Sequence, residues 1–184
     1  MLCTAQAIAG EAQETAFWTM DELMQEMAQV KSSSATFTER KYLAMLKEPL
    51  KSSGTLEYTA PGRFEKITLQ PKRESMVLDG DRLEVENGSR KRVLSLQEFP
   101  EIWALVESIR STLAGDMQTL ARFYVFTLEG QRKHWQLKLL PRDTRMKNMV
   151  TAIEISGSDG QIVTIEIREA GGDYSVMKIS KGGK

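Results

Sequence analysis

Residues 34–86 read SATFTERKYLAMLKEPLKSSGTLEYTAPGRFEKITLQPKRESMVLDGDRLEVE. Turn residues punctuate this stretch at short intervals. Lys47-Glu48-Pro49 separates one apolar run from the next, and Pro71 with its charged neighbours marks another break. Ala60-Pro61-Gly62 is a turn, because proline presets φ and glycine supplies conformational freedom. Asp79-Gly80 and Asn87-Gly88 are hairpin dipeptides that favour tight type I′ turns. Between them Arg82-Leu83-Glu84-Val85-Glu86 alternates polar and apolar residues, as a strand with one wet and one dry face does. These signals predict about six strands up to Leu96.

Toward the N-terminus, Thr19-Met20-Asp21-Glu22 has the form of a capping box. Leu23, Met27 and Val30 follow at helical spacing with Met20 and Met24 beside them, which predicts an amphipathic helix over about 20–31. Methionine is flexible and adapts to irregular shapes, so this face suits either ordinary core packing or a lining that must fit varied chains. Toward the C-terminus, Ser95-Leu96-Gln97-Glu98 is a second candidate cap, and Pro100 suits the first turn of a helix. Ile102, Leu105, Val106, Ile109 and Leu113 share one side of that helix, Gly115 is its expected stop, and Asp116 caps a further short helix through Leu120.

A second block of strands comes next. Residues 122–128 run to an expected turn at Glu129-Gly130, and 135–139 alternate cleanly. Residues 150–155 lead to a turn at Ser158-Asp159-Gly160. Val163, Ile165 and Ile167 then alternate with Thr164, Glu166 and Arg168, and Gly171-Gly172-Asp173 turns into 174–179. This block predicts about five more strands. The fold class is therefore α+β, a meander of about eleven strands, antiparallel because the connections are too short for βαβ units. So large a sheet must curl or close to manage its edges, and its apolar face needs a cover that only the helices can supply.

The chain of 184 residues has 25 basic and 25 acidic side chains and one histidine, a formal net charge of zero. Nucleic acid and anionic membrane surfaces demand a basic excess or a clustered basic face, so neither is the expected main partner. No apolar run of about 18 residues, the length a spanning helix needs, is present. Residues 1–12, MLCTAQAIAGEA, carry Ala7-Ile8-Ala9-Gly10, which fits the cleavage end of a secretory signal without the basic and apolar segments that precede one. They read as a signal-peptide remnant, with export of the protein; the alternative is an alanine-rich leader of a cytoplasmic protein. The sole cysteine, Cys3, lies in this leader and follows Leu2, where lipid attachment needs Gly or Ala. A single domain over 13–180 and a tail over 181–184 complete the expected organisation.

Catalytic signals are missing. His134 is the only histidine, no nucleophile elbow, P-loop or dinucleotide fingerprint occurs, and no His/Cys cluster could hold a metal, so no cofactor is expected and the chain does not read as an enzyme. Asp79, Asp81 and Glu84 are neighbours, but the two aspartates flank a turn glycine, where Asp serves the backbone. The basic clusters Arg90-Lys91-Arg92 and Arg142, Arg145, Lys147 read as edge protection, or as contacts for lipid headgroups.

The opening stretch resembles the periplasmic lipoprotein carriers of the LolA/LolB superfamily. Phe37-Thr38-Glu39 falls where the carriers have Phe-x-Gln, and Gly54-x-Leu56, Pro61, Phe64, Pro71, Asp79-Gly80 and Leu83 follow in the carriers' order and spacing. The resemblance implies a half-open β-barrel whose concave apolar face is covered by helices. Acyl chains of a lipoprotein or another lipid would bind between sheet and helices. It further implies a monomer with an inner-membrane transporter as donor and an outer-membrane acceptor, without cofactor or catalysis. Three positions depart from the pattern. Ala60 stands where the carriers have a basic residue that holds the lid shut, Glu39 replaces Gln, and Lys66 stands where an aromatic often follows the Phe.

On this reading the sheet side of the cavity is Phe37, Leu56, Phe64, Ile67, Leu69, Val77, Leu83 and Val85. Trp103, Val106, Ile109 and Leu113 form the helical cover. Phe64 and Ile67 differ in parity, so both reach one face only across a bulge. A filled barrel core without ligand has the same sequence pattern. An envelope interaction or sensor domain on the same half-barrel is the rival function, and a hydrolase dependent on His134 is a third.

Overall fold

In the computed structural model, which describes residues 18–182, the capping box forms as the sequence dictates. The Thr19 backbone N–H donates to Glu22 Oε2 (2.8 Å) and the Glu22 N–H donates back to Thr19 Oγ1 (3.3 Å), starting helix α1, Met20–Gln29. Thr19→Ala is expected to destabilise the fold by about 1 kcal/mol, read as a shift of the urea midpoint at unchanged slope. Hydrogen bonds from Thr19 hold the Glu22 carboxyl below its usual range. This part of the stabilisation is therefore present at neutral pH and lost as pH falls through the lowered pKa.

Six strands follow: β1 (Ser32–Tyr42), β2 (Leu50–Thr59), β3 (Arg63–Gln70), β4 (Glu74–Asp79), β5 (Arg82–Asn87) and β6 (Arg90–Ser95). A 3-10 turn at Leu96–Glu98 leads to α2 (Pro100–Ala114) and α3 (Met117–Phe123). The second block is β7 (Tyr124–Gln131), β8 (His134–Pro141), a short helix α4 (Thr144–Lys147), β9 (Val150–Ser158), β10 (Gln161–Glu169) and β11 (Tyr174–Lys181). All pairings are antiparallel, in the order β6-β5-β4-β3-β2-β1-β11-β10-β9-β8-β7. The first and last strands are thus neighbours at the centre of the sheet. β6 and β7 are its free edges, and the helical stretch between them spans the opening. The sheet is an open half-barrel, not a closed one.

Local differences from the expected pattern have physical reasons. The tight turns are closed by Asp79↔Arg82 and Asn87↔Arg90, with Gly80 and Gly88 (φ +60° each) at the first central position and no positive φ at the second. That is type II′ geometry, one residue out of step with the type I′ expectation. Ser95 makes no side-chain cap; α2 instead starts with Pro100 in its first turn and ends on Gly115 (φ +69°). Asp116 caps α3 through the Thr119 N–H (2.9 Å), and the helix extends past Leu120 to Phe123. Glu129 and Gly130 do not turn. They pair with Gln136 and Trp135, and the hairpin closes at 132–133. A Cβ on Gly130 would lie 2.2 Å from the His134 carbonyl oxygen, so this glycine permits close backbone approach inside the strand. Helix α4 was not expected; Asp143 caps it by accepting from the Arg145 N–H (2.8 Å) while Met146 is buried beneath.

Two apolar clusters flank the concave face. The larger packs Leu23, Met24 and Met27 of α1 and Leu120 of α3 on Trp135, Leu137, Leu139, Ile153 and Ile155. Tyr124 joins it; its hydroxyl donates to the Ala104 carbonyl (3.2 Å), and burial pushes its pKa up to about 12. The smaller cluster is Leu78, Leu83 and Leu96, with Ile102 and Val106 of α2 packed on it. Leader residues 1–12, Cys3 included, lie outside the described residues.

Candidate functional site: an apolar cavity under two helices

Strand register decides which side chains share the concave face. Ala35, Phe37 and Glu39 of β1 stand opposite Leu56, Gly54 and Ser52 of β2, and opposite Lys181, Ile179 and Met177 of β11. Leu56 and Tyr58 in turn face Lys66 and Phe64 of β3. Over this central part of the sheet lies a cavity of about 730 Å³. Leu56, Tyr58, Phe64 and Met76 line one side; Ile165, Ile167, Met177 and Ile179 line the other. Met27 and Val30 of α1 and Ile109 and Leu113 of α2 complete the wall. The flanking clusters fill the two ends of the concave face, and the middle is left open. A volume within the 300–1,000 Å³ range of ligand pockets, with mainly apolar walls, suits a hydrocarbon ligand.

Of the twelve residues expected at the site, Leu56, Phe64, Ile109 and Leu113 line the cavity. Phe37 shares the face and is buried between Ala35 and Glu39, beneath the lining. Leu83, Val85 and Val106 belong to the smaller core cluster and fill space instead of lining it. Ile67 and Val77 sit on the opposite, convex face. Lys66 pairs with Met76, so the intervening parity turns both outward, and the only register shift between β2 and β3 comes beyond them at Ser53/Gly54. Leu69 lies at that shift and is exposed. Trp103 is 38% exposed and does not line the cavity; its indole N–H donates to the buried Glu107 at Oε1 (3.0 Å). The methionine face of α1, open in sequence to either core packing or lining, does both through Met27, whereas the lining from β10–β11 has no counterpart among the expected residues. The alternation of Val163, Ile165 and Ile167 carried the signal, but the motifs that pointed to a cavity lie in the first half of the chain.

His134 is exposed at the start of β8. Asp81 accepts from Gln97 Nε2 (2.8 Å), and Glu84 pairs with Arg82 and Lys91. None of these groups lines the cavity.

Charged groups do enter the wall, and two of them are the departures from the carrier pattern. Lys66 Nζ donates to Glu39 Oε2 (2.7 Å), Ser52 Oγ donates to the same oxygen (3.3 Å), and the ammonium lies 4.8 Å from the centre of the Phe37 ring. Lys66 and Glu39 stand on β3 and β1, with β2 between them. The intervening residue beside Phe37 is Gly54, which has no side chain to block the reach. Tyr58 adds a buried hydroxyl without a hydrogen-bond partner among the described residues, and burial raises its pKa.

The third departure, Ala60, is offset from the helix side. Arg110 of α2 lays its stem on Gly62 of the β2–β3 turn, donates to the Gly80 carbonyl (2.8 Å) and pairs with Glu107 (3.0 Å). A cation therefore joins α2 to the rim of the sheet, although none stands before Pro61. Arg110→Ala is expected to speed amide hydrogen exchange in α2 about tenfold, equivalent to about 1.4 kcal/mol, while exchange in β8 and β9 stays unchanged. Equal protection of α2 in the variant would remove Arg110 as a latch.

The described residues form an open antiparallel half-barrel with helices over an apolar concavity. Residues 12–181 match the family of outer membrane lipoprotein carrier protein LolA-like proteins, and the chain belongs to it. No curated protein matches. Among solved structures the chain is similar to a DUF1329 family protein from Desulfovibrio piger, at 10% identity over 88% of each chain with a TM-score of 0.50, a likeness of fold. It is also similar to the LolA superfamily protein NE2245 from Nitrosomonas europaea, at 13% identity over 90% of this chain and 92% of that one, TM-score 0.48. Lipoprotein LppX from Mycobacterium tuberculosis matches at 14% identity over 88% and 92%, TM-score 0.44. Membership places the chain among proteins that handle lipids or lipoproteins in the cell envelope.

Proposed function

We propose that this protein is a periplasmic carrier that holds the acyl chains of a lipoprotein or another lipid between its sheet and helices α1 and α2. It takes this cargo from an inner-membrane transporter and delivers it to an outer-membrane acceptor. The observation that carries the reading is the open, apolar middle of a concave face whose two ends are filled. Each methylene moved from water into such a wall contributes about 0.8 kcal/mol, so a single long chain supplies ample affinity without any catalytic group.

Native mass spectrometry of protein purified from the cell envelope, followed by organic extraction, tests this. A co-purifying lipid with acyl chains, displaced by added detergent, is the expected result. An empty protein that also takes up no added lipid would transfer the assignment to an interaction domain of the envelope. The exposed pair Val125 and Leu140, facing each other across the free edge strand β7 and its neighbour, would then be the first place to seek a partner.

A further inference from the structure

The ion pair in the cavity wall bears on what the cavity accepts. The Glu39 and Lys66 side chains are about four-fifths removed from solvent, at 20% and 21% exposure. Their neighbours across the strands on the same face are apolar apart from Ser52, which donates to Glu39: Leu56 and Met76 lie beside Lys66, and Met177 lies beside Glu39. An ammonium has three N–H donors. One is given to Glu39 and the charge rests over the Phe37 ring, which leaves donor capacity toward the cavity. A bare hydrocarbon laid over this pair would strip its remaining water and return nothing. A carboxylate that accepts from Lys66 would also be held close to the Glu39 charge, whose repulsion offsets much of the attraction while the ligand gives up its own hydration. An uncharged carbonyl oxygen avoids both penalties, because it accepts from Lys66 and brings no charge against Glu39.

We infer that the Glu39–Lys66 pair makes the cavity selective for acyl chains whose carbonyl is esterified or amidated, and selective against free fatty acids. This inference rests on the acyl-carrier reading above. Glu39 is the discriminating residue. Without its charge, Lys66 becomes an unpaired cation in an apolar wall and the preference reverses.

The test is displacement of the neutral fluorophore N-phenyl-1-naphthylamine from the full chain at pH 8 by methyl dodecanoate and by dodecanoate. The wild-type protein is expected to bind the ester about tenfold more tightly than the carboxylate, and Glu39→Gln, nearly isosteric, to favour the carboxylate. A Glu39→Leu/Lys66→Met variant, which replaces the pair by apolar residues of similar size and so keeps the fold, should still prefer the ester, because no cation remains to receive a carboxylate. Equal binding of the two ligands by wild type, or the same ranking in Glu39→Gln, would overturn the selectivity while leaving the carrier reading in place. Failure of fluorophore and both ligands to bind would overturn the carrier reading itself.

Discussion

Ile109→Glu is expected to weaken acyl binding about 100-fold while leaving a cooperatively folded protein. Ile109 lines the cavity from α2 but belongs to neither packed cluster, so its side chain faces the cargo more than the core. Glutamate is a good helix former, which keeps α2 intact. A carboxylate at this position meets hydrocarbon when cargo is bound, and about 3 kcal/mol of lost affinity corresponds to the stated factor. Probe titration gives the affinity and thermal unfolding the fold. Unchanged affinity would mean that the acyl chain does not pass under α2. Phe64 is a poorer choice for the same experiment. It lines the cavity but also packs on Leu78 and its neighbours, so Phe64→Glu would mix loss of binding with loss of core.

Gly54→Ala carries the largest expected effect on stability. A Cβ at this position would lie 1.8 Å from the Ile67 carbonyl oxygen and 2.9 Å from Thr68 Cα, both backbone atoms of β3. No side-chain rotation relieves that contact, so β2 and β3 must separate. The expected cost is about 3 kcal/mol, at the upper end of what overpacking usually produces. Separation would also move Lys66 away from Glu39, coupling the loss of stability to the ion pair in the cavity. Gly171→Ala is the control: nothing lies within 4 Å of its added Cβ, and the change should stay within about 0.5 kcal/mol. Chemical denaturation of both variants decides. A neutral Gly54→Ala would show that the strands accommodate a side chain there, and that the glycine is not required by close packing.

The elements of this fold were legible because each is declared locally. The Thr19–Glu22 box, Gly115 after α2 and the glycine turns at 80 and 88 act within a few residues, and they place helix α1 and the first six strands closely. The pairing of β1 with β11 was not legible as such, since no local signal says that a meander returns to its own first strand. The site was legible in part for the same reason. Alternation assigns two faces to a strand but does not say which faces the helices, so Ile67 and Val77, on one face of β3 and β4, were grouped with Phe64 on the other. Spacing on α2 set Ile109 and Leu113 on the face that lines the cavity, whereas Trp103 bonds the buried Glu107 and does not reach it. The two charged departures at 39 and 66 stand 27 positions apart. Only strand register across the glycine gap at 54 shows that each is the other's partner.

A photoreactive acyl chain gives the most direct test of the central claim. The intact protein would be loaded with a long-chain ester bearing a diazirine near its methyl end, irradiated, and the adducts located by peptide mapping. The account predicts saturable labelling confined to the cavity wall, in α2 at Ile109 and Leu113 and in β10 at Ile165 and Ile167. Labelling of the convex face at Ile67 or Val77, or labelling that excess unlabelled ester does not suppress, would contradict it.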